Sequence, residues 1–377
     1  MRTFFRTLFI SYCLLLIAAC SSDSNNRPTL SSELNDLVAT VCQETGVPGA
    51  SVYIISPDYG NFAITWGYAD LSTKTLVTAA HRFRIGSLSK SFTGTGVLQL
   101  TQDGLINLEA PISDYLGEQY DAEVLAQISV NQLLTMSSGL GEYLSPQFLT
   151  DSVLPQPLTD YPPHTLVENA LLNSPELLYP PGTEFSYNNT NYILLGQLIE
   201  TVSGQSYHDY LQQALLTPLA LQNTFVLEDD DQPQQLVRGY YDFDEDGHYE
   251  DWTNMNMSYV WSAGCLAATA EDVAIWMEAL ASGNLLTSQF QPQNFPGYPI
   301  AQGVTYAAGI LVDDSFGIGH NGTVIGFHAD AWHDPHTQTT VAVLCNTNAP
   351  ILDDERDPTR EIAQEVLLRF KKMVADE

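Results

Sequence analysis

A serine hydroxyl attacks a carbonyl only when a base sits beside it. In this chain of 377 residues one lysine is placed to be that base. The segment R-I-G-S-L-S-K-S-F-T sets Ser87 and Lys90 three residues apart, so on a helix they share a face one turn apart. A lysine amine serves as base only where burial or a cationic neighbour disfavours its charge. Ile85, Phe92, Val97 and Leu98 predict a helix packed on several sides, where an unpaired lysine is costly. Ser87 at the start of that helix would also bring backbone N–H groups and the positive dipole end to a developing oxyanion. The spacing alone recurs by chance about once or twice in a chain of this length. Its ordinary meaning is an exposed helix pair. Lysine is scarce, however: Lys74, Lys90, Lys371 and Lys372 are all there are, and only Lys90 follows a serine at this spacing.

Two further segments supply the missing chemistry. Pro180-Pro181-Gly182 predicts a turn, followed by F-S-Y-N-N-T-N-Y. In such a loop Tyr187 and Asn189 bring a phenol and an amide into one cleft. The phenol can relay the serine proton to a leaving group, and the amide can hold a substrate carbonyl. Near the C-terminus, G-I-G-H-N-G-T-V-I-G-F sets His320-Asn321-Gly322-Thr323 along a strand edge. Gly322 lets a substrate approach the backbone, and His320 supplies a donor or a positive charge.

The elements that must position these residues are legible from periodicity. Ser31 to Glu44 predicts a helix, with Leu34, Leu37, Val38 and Val41 on one face and Ser32 as cap. A-S-V-Y-I-I and F-A-I-T-W-G-Y alternate around the turn S-P-D-Y-G, which predicts a hairpin. A helix follows from about Ser87 to Asp103. From Leu105 to Asn256 short helices and loops prevail. Thr305 to Leu311, Gly326 to Trp332 and Thr339 to Cys345 predict strands, and Pro358 to about Val374 a last helix. The expected fold is α+β: one antiparallel sheet from both ends of the chain, flanked by helices, with a mostly helical domain inserted. The divisions are 31–86 with 262–377 for the sheet domain and 87–261 for the helical one.

The first 20 residues stand apart. Arg2 and Arg6 precede an apolar run from Leu8 to Ile17, too short to span a bilayer, then Ala18-Ala19-Cys20. The ending resembles a bacterial lipobox, so Cys20 is the expected lipidation site, with 1–20 as lipoprotein signal peptide and 21–30 as linker. Ser21 after the cysteine points to the outer membrane, in the periplasmic cell envelope. A simple cleaved signal is the alternative. The net charge of −32 disfavours nucleic acid and anionic lipid as partners. A membrane would be met only through the lipid. Cys42, Cys265 and Cys345 remain in the mature chain. One bridge with a spare thiol, or three buried thiols, are both open.

Taken in order, S-x-x-K, Y-x-N and H-x-G resemble the serine β-lactamase and penicillin-binding superfamily. The pattern is most similar to the Streptomyces-type D-alanyl-D-alanine carboxypeptidase, with W-S-A-G at Trp261 to Gly264 and N-T-N at Asn346 to Asn348 in agreement. The resemblance runs from about Ser32 to Asn348. It implies a β-lactamase/transpeptidase-like fold and two-step acyl transfer, without metal or cofactor. By it, Ser87 is the acylated nucleophile, Lys90 and Tyr187 share acid/base work, Asn189 holds the substrate amide, and His320 replaces the lysine of the third motif. The same resemblance implies an oxyanion hole made of the backbone N–H groups of Ser87 and Thr323. Asn321, Gly322, Thr323 and Tyr259 are expected to line the substrate site. The implied substrate is a peptidoglycan-type D-peptide or a small amide or ester. One departure matters: Leu311 stands where the carboxypeptidase carries an arginine for the substrate carboxylate. A carboxylesterase or weak β-lactamase is the alternative enzyme, and an anchored penicillin-binding sensor without turnover the alternative of another class.

Other features carry less. Asp242, Asp244 and Asp246 have the opening spacing of a calcium loop, but Thr253 stands where the closing glutamate belongs. His328, His333 and His336 flank an Asp334-Pro335 turn and are not expected to share a metal. Tyr259, Trp261 and Phe148 suit either a cleft wall or a core.

Overall fold

The structure, a computed structural model, describes residues 26–120, 123–227, 233–243, 246–283, 285–349 and 356–376, with no side-chain detail for 26–28. The leader, Cys20 and Asp244 lie outside the described residues. No described helix is long and apolar enough to cross a membrane.

A nine-stranded antiparallel sheet joins the two ends of the chain. Its strands are β1 (Gly49–Ile55), β2 (Phe62–Asp70), β3 (Thr75–Leu76), β4 (Tyr298–Ala301), β5 (Val304–Ala307), β6 (Ile310–Asp313), β7 (Gly317–Val324), β8 (Phe327–Asp334) and β9 (Thr339–Cys345). The order across the sheet is β3-β2-β1-β9-β8-β7-β6-β5-β4. Every residue of β9 is buried, because this central strand has both faces covered; T-T-V-A-V-L-C therefore reads as a nearly continuous apolar run.

Two helices from opposite ends of the chain close one face. They are α1 (Asn26–Thr45) and α5 (Pro358–Asp376). Leu34, Val38 and Val41 of α1 meet Ile362, Val366 and Phe370 of α5 over Val52, Ile54, Val341 and Val343. Each fully buried side chain of this kind contributes about 1.5–3 kcal/mol. Against the other face lie α2 (Ser89–Gln102), α3 (Asn189–Ser203) and α4 (Ala270–Ser282) with the inserted segments, sharing one core with Ala329, Ala331, Ala342 and Leu344. Phe92 of α2 stacks on Trp276 of α4 with ring centres 3.8 Å apart, and the Trp276 indole donates to Ser91 Oγ at 2.8 Å.

Several expectations change. Helix α1 begins at Asn26, inside the expected linker and before Ser32, so Ser32 does not cap it. Thr305 to Leu311 is not one strand. Ala308 and Gly309 take positive φ of 50° and 87°, a two-residue hairpin turn between β5 and β6. Alanine rarely adopts that conformation, so the residue types hid the turn. Cys42, Cys265 and Cys345 are all buried, and none of them is in a disulfide. Asp242 is used by its own turn, accepting the Asp246 and Gly247 N–H groups at 3.2 and 2.9 Å. No metal-holding group of three or more acidic, His or Cys residues occurs among the described residues. His328 faces Asp357 at 3.6 Å while His333 bonds Thr340 at 2.8 Å. The odd spacing of His328 and His333 along β8 sends them to opposite faces.

One buried acid marks the face under α1 and α5. Asp330 is fully buried, with one oxygen on the Trp332 indole at 2.6 Å and the other without a partner. Burial, and then the charge of Asp357, push its carboxyl up to about 7. An acid whose folded value lies above its unfolded one costs stability as pH rises from the unfolded value through the folded one. Asp330→Asn, which mimics the neutral acid, should therefore raise the melting temperature by several degrees at pH 8 and by much less at pH 5. Melting curves at the two pH values check this; an equal gain at both would refute the titration of Asp330.

Candidate active site

The Ser87 turn is built from backbone. Phe83–Arg84 pairs with Leu266–Ala268, and the Ile85 N–H donates to the Leu266 carbonyl at 2.9 Å. Gly86–Leu88 then forms a 3₁₀ turn leading into α2, so Ser87 sits just before the α-helix, not within it. Strand β7 presses against this turn. A Cβ on Gly322 would stand 1.9 Å from the Ile85 carbonyl oxygen and 2.8 Å from the Leu88 nitrogen. Only glycine permits that approach. It brings the Thr323 amide beside the Ser87 turn, since a Cβ on Gly86 would lie 2.7 Å from the Thr323 nitrogen.

Lys90 is fully buried on α2 and its amine has three neighbours. Ser87 Oγ lies at 3.0 Å, Asn189 Oδ1 at 2.8 Å and the Ala263 carbonyl at 2.8 Å. Burial lowers its pKa to about 7, while the Glu142 carboxylate pulls it back upward. A neutral amine has two protons and one lone pair. With the protons on Asn189 and Ala263, which can only accept there, the lone pair is left for the Ser87 hydroxyl. That is the geometry of a general base.

Tyr187 completes the group. Its hydroxyl is hydrogen-bonded to Ser87, and Lys90 Nζ lies 4.9 Å from its ring centre. The surrounding protein raises the phenol's pKa and the Ser87 bond opposes this. The loop is held from below: Ser186 N–H donates to the Met136 carbonyl at 3.0 Å, and the Asn188 amide to the Leu140 carbonyl at 2.7 Å. Asn188 also caps α3, whose first residue is Asn189. Y-N-N thus serves as loop, cap and helix start in three residues.

His320 lies on β7 against Tyr306 and Tyr187, with ring centres 5.9 and 6.3 Å away. Burial, with a lesser push from Lys90, lowers its pKa to about 4. The ring is therefore neutral at pH 7, which leaves aside the positive charge that was one of the two expected roles, donor or cation. Nδ1 faces the Asn321 carbonyl, so it carries the proton and Nε2, buried without a partner, is an acceptor. Asn321 is displaced from the expected site. Strand alternation turns its side chain to the opposite face from His320, and its register partner is Asp330. The Thr323 side chain is exposed, leaving only its amide at the turn. Tyr259 is core, with its phenol beside Arg84 and the Ile325 N–H, so it does not line the cleft. Trp261 is buried too, and Phe148 packs edge-on between Tyr143 and Tyr161. Leu311 is paired in register with Tyr306, the ring that touches His320. Sequence reasoning missed Glu142, whose Oε2 accepts both the backbone N–H and the side-chain amide of Asn189 at 2.6 and 3.0 Å. A lone acid in the run S-S-G-L-G-E-Y was its only signal.

Comparison with known proteins shows the family and the fold. The model of the family described as Beta-lactamase matches residues 34–365. Protein flp of Staphylococcus aureus (strain MRSA252) is 27% identical over 329 residues, covering 84% of this chain and 63% of that protein. A D-aminopeptidase of Cereibacter sphaeroides is 24% identical over 308 residues, covering 80% of this chain and 57% of its own length. The chain thus spans under two thirds of both curated relatives. The crystal structure of D-amino acid amidase from Ochrobactrum anthropi SV3, complexed with L-phenylalanine amide, superimposes with a TM-score of 0.76 at 25% identity, covering 91% of this chain and 99% of that one.

If Lys90 is the base, kcat/KM on an uncharged substrate should rise about tenfold per pH unit below a limb near pH 7 and level off above it. Lys90→Met should lower the plateau about 100-fold or more. A limb near pH 4 or 10 in a stopped-flow or plate-reader pH profile would remove Lys90 from that role.

Proposed function

The chain belongs to the Beta-lactamase family of serine hydrolases, and from that footing we propose that it hydrolyses amides of D-amino acids and short D-peptides bearing a free amino end. Ser87 Oγ attacks the amide carbon while its proton passes to Lys90 Nζ. The Ser87 and Thr323 amides hold the oxyanion. Tyr187 gives its phenol proton to the nitrogen as the C–N bond breaks and is reprotonated with the proton Lys90 took from Ser87; water then gives a proton to the same groups as it attacks the acyl-Ser87 ester, and Ser87 Oγ leaves with that proton.

The charge of the cleft carries this reading. Leu311 is apolar where a carboxypeptidase would hold the substrate carboxylate with arginine, and no arginine lies between Arg238 and Arg356. Glu142 meanwhile sets a carboxylate beside Asn189 and Lys90. Such a site repels a C-terminal carboxylate and suits a substrate ammonium. Two relatives, a D-aminopeptidase and a D-amino acid amidase, point the same way by their names. The neutral His320, unlike a lysine, offers no cation to a penicillin carboxylate. These points favour an amidase over a D-alanyl-D-alanine carboxypeptidase. Export and anchoring through lipidated Cys20, in the outer membrane facing the periplasm, belong to the same proposal.

A substrate panel tests it. D-alanine p-nitroanilide should exceed its L-enantiomer by about 100-fold in kcat/KM, and Ser87→Ala should abolish both. Faster release of D-alanine from an acylated D-Ala-D-Ala peptide would return the carboxypeptidase reading. A stable penicillin adduct without turnover would favour a sensor. Leu311→Arg should shift preference toward the carboxylate-ended peptide. Radiolabelled palmitate incorporated in the full chain but not in Cys20→Ser would support the anchor; equal labelling of both would refute it.

A further inference from the structure

Asn189 is an amide, and an amide has two different ends. Its oxygen can only accept and its nitrogen can only donate. Which end meets Lys90 decides what the lysine can do. With Oδ1 toward Lys90, the amine donates to Asn189 and its lone pair stays free for Ser87. With Nδ2 there, the amide would donate into that lone pair and take the base away from the hydroxyl. Lys90 itself does not choose between these, because a neutral amine both donates and accepts.

Glu142 does choose. Its Oε2 accepts the Asn189 backbone N–H at 2.6 Å and the Nδ2–H at 3.0 Å, and Oε1 accepts the Leu144 N–H at 2.8 Å. A carboxylate offers no proton, so only the nitrogen end of Asn189 can face it. Oδ1 is thereby turned to Lys90, at 2.8 Å. The carboxylate is held in place by the first N–H of α3, from Asn189, where the helix dipole favours negative charge, and by the Leu144 N–H. We propose that Glu142 is a positioning residue whose carboxylate fixes the amide polarity of Asn189 and, through it, reserves the Lys90 lone pair for Ser87. The inference rests on Ser87 and Lys90 as nucleophile and base, and it is separate from any contact Glu142 makes with substrate.

A second consequence follows from charge. The groups facing Lys90 are Ser87, Tyr187, Tyr192, Asn189 and the Ala263 carbonyl, with Glu142 and His320 coupled to it through space. Among them Glu142 is the group that raises the lysine's pKa. Removing its charge while keeping its shape should lower that pKa further.

The experiment uses p-nitrophenyl acetate, an ester with neither amine nor stereocentre, and reads kcat/KM from pH 5 to 10. A failure of the D-amide reading appears in the substrate panel and leaves this profile readable. Glu142→Gln keeps an oxygen for Asn189 but loses the charge, so its acid limb should move down by about half to one pH unit. Glu142→Leu loses both, and its plateau should fall about 10- to 100-fold. In an Asn189→Leu background, where no amide is left to orient, Glu142→Leu should cost less than about twofold. An unmoved acid limb in Glu142→Gln, or losses that multiply in the double variant, would overturn the proposal. Because Glu142→Gln is isosteric, it carries the test should Glu142→Leu fail to fold.

Discussion

The burial of one amine governs this molecule. Lys90 is fully enclosed on a helix whose other faces are also buried, and among the described residues no carboxylate is hydrogen-bonded to it. An ammonium ion in such a place is expensive, and the protein resolves the cost by letting the proton go near neutral pH. Two acceptors and one hydroxyl then match a neutral amine's two protons and one lone pair. Much of the surrounding architecture can be understood as the means of sealing that position. Phe92 against Trp276 fixes the far side of α2. The W-S-A-G turn delivers the Ala263 carbonyl from a distant part of the chain.

Sealing alone would give an inert lysine. Reactivity requires that the hydroxyl, the phenol and the oxyanion donors stay at the same place, and backbone provides this more than side chains do. Gly322 lets β7 touch the Ser87 turn with no side chain intervening. The Tyr187 loop is held through Met136 and Leu140 and then continues directly into α3. Rigid supports of this kind place reacting groups without an entropic cost at the moment of reaction. The opposite face of the sheet, closed by α1 and α5, contributes stability but none of these contacts, and its buried Asp330 shows that this layer tolerates an uncompensated polar group.

The electrostatics of the site run against the bulk composition in a useful way. The chain is strongly acidic, yet the only carboxylate hydrogen-bonded to Asn189 among the described residues is Glu142, and its oxygens are occupied by N–H groups. His320 is kept neutral by burial and by the proximity of Lys90. The site therefore combines a base near neutrality, an imidazole acceptor and a buried acid, Glu142, whose pKa burial raises and its N–H partners lower. Leu311, in place of the expected arginine, is where the sequence departs from the carboxypeptidase pattern, and the proposed preference for amides rests on that departure.

Sequence by itself determined the family, the layering and the candidate residues. Ser87, Lys90, Tyr187, Asn189 and His320 stand in short motifs whose order survives any uncertainty about helix ends. The buried run of β9 and the periodic faces of α1 and α5 announced a covered sheet. Those signals are local: they depend on residue type and on spacing within a turn or a strand. Only the tertiary structure decided the rest. That Asn321 faces Asp330, that Tyr259 belongs to Arg84 and the core, and that Ala308-Gly309 breaks a strand are matters of register and backbone angle. That His320 is an acceptor depends on which carbonyl its Nδ1 meets. Glu142 was invisible for the same reason: it lies 47 residues from Asn189, and a carboxylate reveals which amide it orients only when folding brings the two within hydrogen-bond reach.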